Sequence, residues 1–250
     1  MRMFEWTSEM VSFMRDACEQ SDYYDKAADH IVDALGGEQA VATMHICDVG
    51  CGLGYLSLAL AKRCKHVTAV DIASRPLTVL RENLLRKRCS NVSVYEGSAF
   101  SLPASMQFDA MVFCLFGSVQ EALNAASGHT RQIVMLRRNH AARRFSLKEE
   151  NTHRELMDTD NALLATLPPL SFCRDISLEL NQPIRSIEDA KRFFSLYTKR
   201  RGTCSVSESD VRSRLVASSN PDYPYMIPAV RDLTVLSLPS ESIPCSSCSA

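Results

Sequence analysis

The run Ile46-Cys47-Asp48-Val49-Gly50-Cys51-Gly52-Leu53-Gly54-Tyr55 constrains this chain more than any other stretch. An apolar, strand-like approach from Met44 to Val49 meets three glycines at alternate positions, and Leu56 to Ala61 then reads as helix. Strand, glycine turn and helix N-terminus in that order place backbone N–H groups and the positive end of a helix dipole beside a ligand. Glycine is needed where the chain turns with positive φ or where a ligand lies against bare backbone. The segment predicts an α/β fold with a ligand-holding loop after its first strand.

The spacing narrows the ligand. A dinucleotide site asks for G-x-G-x-x-G, whereas here the third glycine comes one residue early and Tyr55 takes its place. An acid, Asp48, stands two residues before the first glycine. A second β-rich run, His66 to Val70, ends in Asp71, placed to accept hydrogen bonds from ribose hydroxyls. A third, Asn91 to Tyr95, precedes Glu96-Gly97-Ser98-Ala99-Phe100, and a fourth, Phe108 to Cys114, follows. This order, with D-x-G-x-G-x-G at its head, resembles the class I S-adenosylmethionine (SAM) methyltransferases. The specific part of the resemblance is Ile46 to Phe116; the looser part runs from Tyr23 to Leu238.

The resemblance implies a doubly wound, seven-stranded, mostly parallel α/β sheet with an antiparallel last strand. It implies cofactor contacts from Asp48, Gly50, Cys51, Gly52, Gly54, Asp71, Ile72, Ser98, Ala99 and Cys114. Ser98 departs from the family, which often carries Asp there to reach the adenine amino group; Ala99 and Phe100 are then candidate walls for the ring.

Around that core the chain divides as an N-terminal helical lid (1–42), a Rossmann-like core (43–182), a helical insertion or cap (183–229), a last strand (230–239) and a tail (240–250). Trp6, Met10, Phe13, Met14 and Ala17 recur at helical spacing, and Ser21 or Asp22 caps a second helix ended by Gly36-Gly37. Ser74 is expected as N-cap of the helix after Asp71, and Ser146-Leu147-Lys148-Glu149 has capping-box spacing. Phe193, Phe194 and Tyr197 suggest core packing within a cap or dimer surface, and Tyr223 to Pro228 reads as an extended loop at the substrate mouth. Tyr23 and Tyr24 are candidate lid residues, or else one packs in the core and the other is solvated.

Composition removes several classes of function. A net charge of −1 gives no field that would draw the chain to nucleic acid or an anionic membrane. No apolar run reaches membrane-spanning length and the N-terminus lacks a signal-peptide core, so a cytoplasmic location is expected. Most of the ten cysteines fall inside predicted elements without a secreted scaffold's regular spacing, which suggests a reducing interior. Cys245-Ser246-Ser247-Cys248 supplies only half of a tetrahedral zinc site, and no metal is expected.

The expected chemistry is in-line methyl transfer to a small-molecule acceptor, driven by proximity and exclusion of water. His140 and Tyr24 are candidate bases, with His153 a further histidine to consider. Phe116, Arg138 and Tyr23 are candidate substrate contacts, Arg138 because a guanidinium after the fifth strand grips a carboxylate or phosphate. Phe113-Cys114-Leu115-Phe116 matches neither the Pro-Cys of cytosine-C5 enzymes nor the Asn/Asp-Pro-Pro-Tyr of amine-methylating ones. An RNA or protein methyltransferase, a SAM-binding protein without catalysis and an NAD-dependent dehydrogenase are the alternatives.

Overall fold

The computed structural model describes residues 5–139, 151–198 and 207–239, without side-chain detail for 151–157, 197, 198 and 239. Three helices open the chain: α1 (Ser8–Glu19), α2 (Tyr23–Ala34) and the short α3 (Glu38–Val41). The alternating half follows as β1 (His45–Val49), α4 (Tyr55–Ala61), β2 (His66–Asp71), α5 (Ser74–Arg86), β3 (Val92–Glu96), a 3-10 turn (Ala99–Ser101), β4 (Ala110–Cys114), α6 (Val119–Ala126) and β5 (Gln132–Arg138). Then come α7 (Asn151–Leu164), β6 (Phe172–Glu179), β7 (Gln182–Ile184), α8 (Ile187–Thr198), α9 (Glu208–Arg212), β8 (Val216–Ala217), β9 (Tyr225–Ile227) and β10 (Val230–Pro239).

Seven strands form one sheet in the order β3-β2-β1-β4-β5-β10-β6. β1 to β5 pair in parallel, while β10 runs antiparallel between β5 and β6. This is the expected sheet, with its antiparallel strand last in sequence. The central strands are nearly continuous apolar runs because helices cover both faces. One face packs Ile46, Val112, Leu136 and Val235 against Ala28 and Ile31 of α2 and Leu60 of α4. The other packs Val49, Phe113, Met135 and Leu236 against Val119 and Leu123 of α6.

Several local expectations need correction. α5 is capped by Ala73 rather than Ser74, whose hydroxyl bonds Glu96 instead. The N-cap of α2 is Asp22, one of the two expected residues, although it makes no side-chain bond and Ser21 Oγ accepts the Tyr23 N–H at 3.0 Å. The insertion after β6 is mixed rather than helical: β7, β9 and β8 make a small antiparallel sheet, and the segment read as an extended loop supplies β9. Its core is Ile184, Phe193, Phe194, Val211 and Ile227, closed by Phe13 of α1. Phe193 and Phe194 are buried in that core, so neither offers a dimer surface. A polar knot ties this cap to α1: Arg185 donates to Asp16 at 2.6 Å and to Tyr223 Oη at 2.7 Å, and Tyr223 donates to Asp16 at 3.0 Å. The capping-box sequence at 146–149 and the pair Cys245/Cys248 lie outside the described residues.

Candidate active site

The carboxyl ends of β1 and β4 are where the strand order reverses, and ligands of open α/β sheets sit in that crevice. The glycine loop lies there. Gly50, Gly52 and Gly54 all have positive φ, at 69°, 53° and 75°, so the alternation in sequence is a run of left-handed turns. The N–H groups of Gly50 and Cys51 both donate to Val70 O, pinning the loop to β2. The Gly52 N–H donates to Asp71 Oδ2 at 2.8 Å, and the Ala73 N–H to Asp71 Oδ1 at 2.9 Å. Asp71 thus holds the loop and the start of α5 together, and each oxygen keeps a lone pair for a further donor. Ile72 beside it is 41% exposed, an apolar side chain left open next to the loop.

Asp48 is the buried acid of the site. It is 1% exposed, and its Oδ2 accepts from Ser57 Oγ of α4 at 2.5 Å. Burial pushes its carboxyl up to about 7, helped by the charge of Asp71 and opposed by the Ser57 hydrogen bond. Burial and the same acids raise the Cys51 thiol. The loop is therefore an electronegative place where a cation would be welcome. Neutral thiols line it.

The third-strand contacts are less open than expected. Ser98 Oγ accepts the Phe100 N–H at 3.2 Å, so the hydroxyl caps the 3-10 turn. Ala99 is buried among Val49, Val70 and Phe113, while Phe100 is 46% exposed. Gly97 has a packing reason: a Cβ there would lie 2.6 Å from Tyr95 Cε1.

After β4 the chain turns sharply. Leu115 adopts φ 56°, a left-handed conformation that costs a side-chain-bearing residue about 1–2 kcal/mol. The turn brings Phe116 onto the loop: a Cβ on Gly50 would meet Phe116 Cδ2 at 2.4 Å. Phe116 is thus a cover for the glycine loop rather than a ring standing free for substrate. Trp6, before α1, lies 3.5 Å from where a Cβ on Gly52 would sit. Ser118 and Glu121 form a reciprocal capping box that starts α6. Burial raises the Cys114 thiol to about 12 and keeps it protonated, in agreement with the missing cysteine-nucleophile motif.

The side of the crevice beyond β4 is built from strand alternation. Val134 and Leu136 of β5 and Leu233 and Val235 of β10 face α2, so Arg138 and Arg231, two residues beyond, face the same way. Above them lie Tyr23 and Tyr24, edge to face at 4.9 Å between ring centroids. Tyr23 is 1% exposed and packs in the core; Tyr24 stacks on Tyr55 at 6.2 Å. Both phenols are raised by burial, Tyr24 well above its ordinary value, so neither is a ready base at neutral pH. Arg137 faces the other side of the sheet and pairs with Asp160 at 3.1 Å. His140 lies outside the described residues, and so does the side chain of His153. Arg231, which sequence reasoning missed, has its guanidinium carbon 5.4 Å from the centroid of the Tyr23 ring. Its only signal was an arginine at the start of the last strand, followed at once by Asp232.

Residues 46–134 match the family model described as a methyltransferase domain. Over 64 residues the chain is 33% identical to a protein described as a cobalt-precorrin-6B C(15)-methyltransferase (decarboxylating) of Methanocaldococcus jannaschii, covering 26% of this chain and 35% of that one. Over 77 residues it is 36% identical to the ubiquinone biosynthesis O-methyltransferase of Stutzerimonas stutzeri, covering 30% and 33%. The matched segments thus span about a third of the length of these relatives. A candidate methyltransferase from Bacillus halodurans C-125 has the same fold, with a TM-score of 0.50, 13% identity and coverage of 86% of this chain and 99% of its own. No helix among the described residues is long and apolar enough to cross a membrane. Fold, glycine loop and family match agree: residues 46–134 are those of a methyltransferase domain, set in a sheet of the Rossmann-like order, its subfamily unspecified.

Proposed function

We propose that this protein binds SAM at the Gly50–Gly54 loop and transfers its methyl group to a small-molecule acceptor entering beneath Tyr23 and Tyr24. The observation that carries the reading is the run of three left-handed glycines facing Asp71 at the strand-order reversal. The residues present fit the group: Asp71 offers two carboxylate oxygens for ribose hydroxyls, and the Asp48–Asp71 pair favours a ligand carrying positive charge. When bound, SAM supplies an electrophilic methyl on a sulfonium, transferred as an acceptor lone pair displaces neutral S-adenosylhomocysteine.

The protein's share is placement and exclusion of water. Phe116 and Trp6 cover the loop from two sides, and Tyr23 and Tyr24 roof the crevice. Alignment of reactants in such a dry crevice supplies the larger part of catalysis for an acceptor that needs little proton transfer. The raised phenols of Tyr23 and Tyr24 argue against deprotonation of an alcohol by either. Support for a small acceptor comes from the near-neutral charge of the chain and from relatives whose names specify ubiquinone biosynthesis and a precorrin. Seven unpaired thiols among the described residues support a reducing compartment.

Calorimetric titration with S-adenosylhomocysteine, with NADH as control, tests the reading on protein freed of copurified ligand. Micromolar binding of the former without the latter is expected, and Gly52→Arg abolishes it. Absence of S-adenosylhomocysteine binding refutes the proposal.

A further inference from the structure

Arg231 is an unusual arginine. It projects from the start of β10 onto the sheet face that carries Leu233 and Val235, where its guanidinium lies over the Tyr23 ring. No carboxylate lies within ion-pair distance of it among the described residues; its charge is felt by the phenols of Tyr23 and Tyr24 and the thiols of Cys18 and Cys114. The Tyr23 hydroxyl is itself buried without a partner of hydrogen-bond geometry, although the guanidinium is close enough to bias its proton. Arg138, on the paired strand and the same face, adds its charge to Tyr23. A partly buried cation facing an unsatisfied hydroxyl is costly unless something completes it. Arg231 is half-buried as a residue.

We propose that Arg231, with the Tyr23 hydroxyl, is the anchor for an oxyanion group of the methyl acceptor, a carboxylate or phosphate. This rests on the proposed methyltransferase reading and narrows its substrate class. The fork of the guanidinium matches two oxygens of such a group, and Tyr23 Oη donates a third hydrogen bond. Position favours the acceptor over the cofactor's own carboxylate. β10 lies two strands beyond β4, about 10 Å from the end of the strand flanking the glycine loop. The Arg231 guanidinium carbon lies over the Tyr23 ring, 5.4 Å from the centroid.

The test uses the whole chain saturated with S-adenosylhomocysteine, titrated calorimetrically with benzoate and, as neutral isostere, benzamide; inorganic phosphate serves as a second anion. Wild-type protein is expected to bind at least one anion saturably, with benzoate or phosphate at least tenfold tighter than benzamide. Arg231→Met loses that preference and Arg231→Lys retains part of it. Equal binding of benzoate and benzamide, no saturable anion binding, or an unchanged preference in Arg231→Met overturns the proposal. A parallel titration compares S-adenosylhomocysteine with 5′-methylthioadenosine, which lacks the carboxylate. A tenfold loss for the former alone in Arg231→Met assigns the anchor to the cofactor and overturns the acceptor assignment. Thermal midpoints separate a purely structural role: Arg231→Met is expected to match or exceed wild type, and a lower midpoint with anion preference intact overturns the anchor. Wild-type S-adenosylhomocysteine binding with no anion preference leaves the methyltransferase reading standing while the anchor fails.

Discussion

Asp48→Asn tests how the buried acid is held. The wild-type carboxyl is raised from 3.8 to about 7, chiefly by burial. Between those values the native state keeps a proton that the unfolded chain releases, so stability falls as pH rises from about 4 to about 7 and is level above. A shift of roughly 3 units at 1.36 kcal/mol each is about 4 kcal/mol, an upper figure. Asparagine accepts the same hydrogen bond from Ser57 Oγ and has no charge to lose. The variant is expected to match wild type at pH 4 and to exceed it by up to about 4 kcal/mol at pH 8, the gap opening by about 1.4 kcal/mol per pH unit. Urea unfolding of both proteins at unit pH intervals measures it, with the difference cancelling the titration of all other groups. A gap independent of pH, or a variant less stable at pH 8, refutes the reasoning. The same substitution is expected to weaken S-adenosylhomocysteine binding, since it removes the carboxyl buried beside the glycine loop.

Three further perturbations separate the loop, a cap and the insertion. Gly50→Ala puts a Cβ 2.4 Å from the Phe116 ring at φ 69° and is expected to cost about 2 kcal/mol or more in thermal unfolding. Part of that loss should disappear in a Phe116→Ala background; an identical loss there would mean the clash is not the cause. Ser118→Ala removes the hydroxyl that accepts the Glu121 N–H and should lower stability by about 1 kcal/mol, with Ser118→Gly costing only a few tenths. Arg185→Met strips Asp16, 7% exposed, of its guanidinium partner and should cost about 1–2 kcal/mol. Hydrogen exchange should show faster opening in α8 and β9 than in β1; uniform protection would show that the knot does not hold the cap.

The parallel half of the sheet was readable from the chain because its signals are local. Three alternate glycines can serve only left-handed turns, and β1 and β4 are short apolar runs that require cover on both faces. Asp71 follows its own strand directly, so its place beside the loop is fixed by β2 alone. The capping box of α6, Ser118 to Glu121, was equally local and could have been read as such.

What the sequence did not determine depends on contacts between distant segments. The 3-10 turn claims the Ser98 hydroxyl, and a left-handed Leu115 delivers Phe116 onto Gly50; neither follows from residue type or spacing. β9 was read as a loop because a three-residue strand has no periodicity of its own, and pairing with β7 and β8 creates it. Arg231 and Tyr23 stand near opposite ends of the chain. The register of β10 on β5 and the seating of α2 across the sheet bring them together, and side-chain alternation then decides which arginine faces the crevice. Sequence thus specified a cofactor loop through backbone conformation, a property of neighbouring residues. The pocket proposed for the acceptor was decided by tertiary packing, because its electrostatics belong to side chains that only the folded sheet makes neighbours.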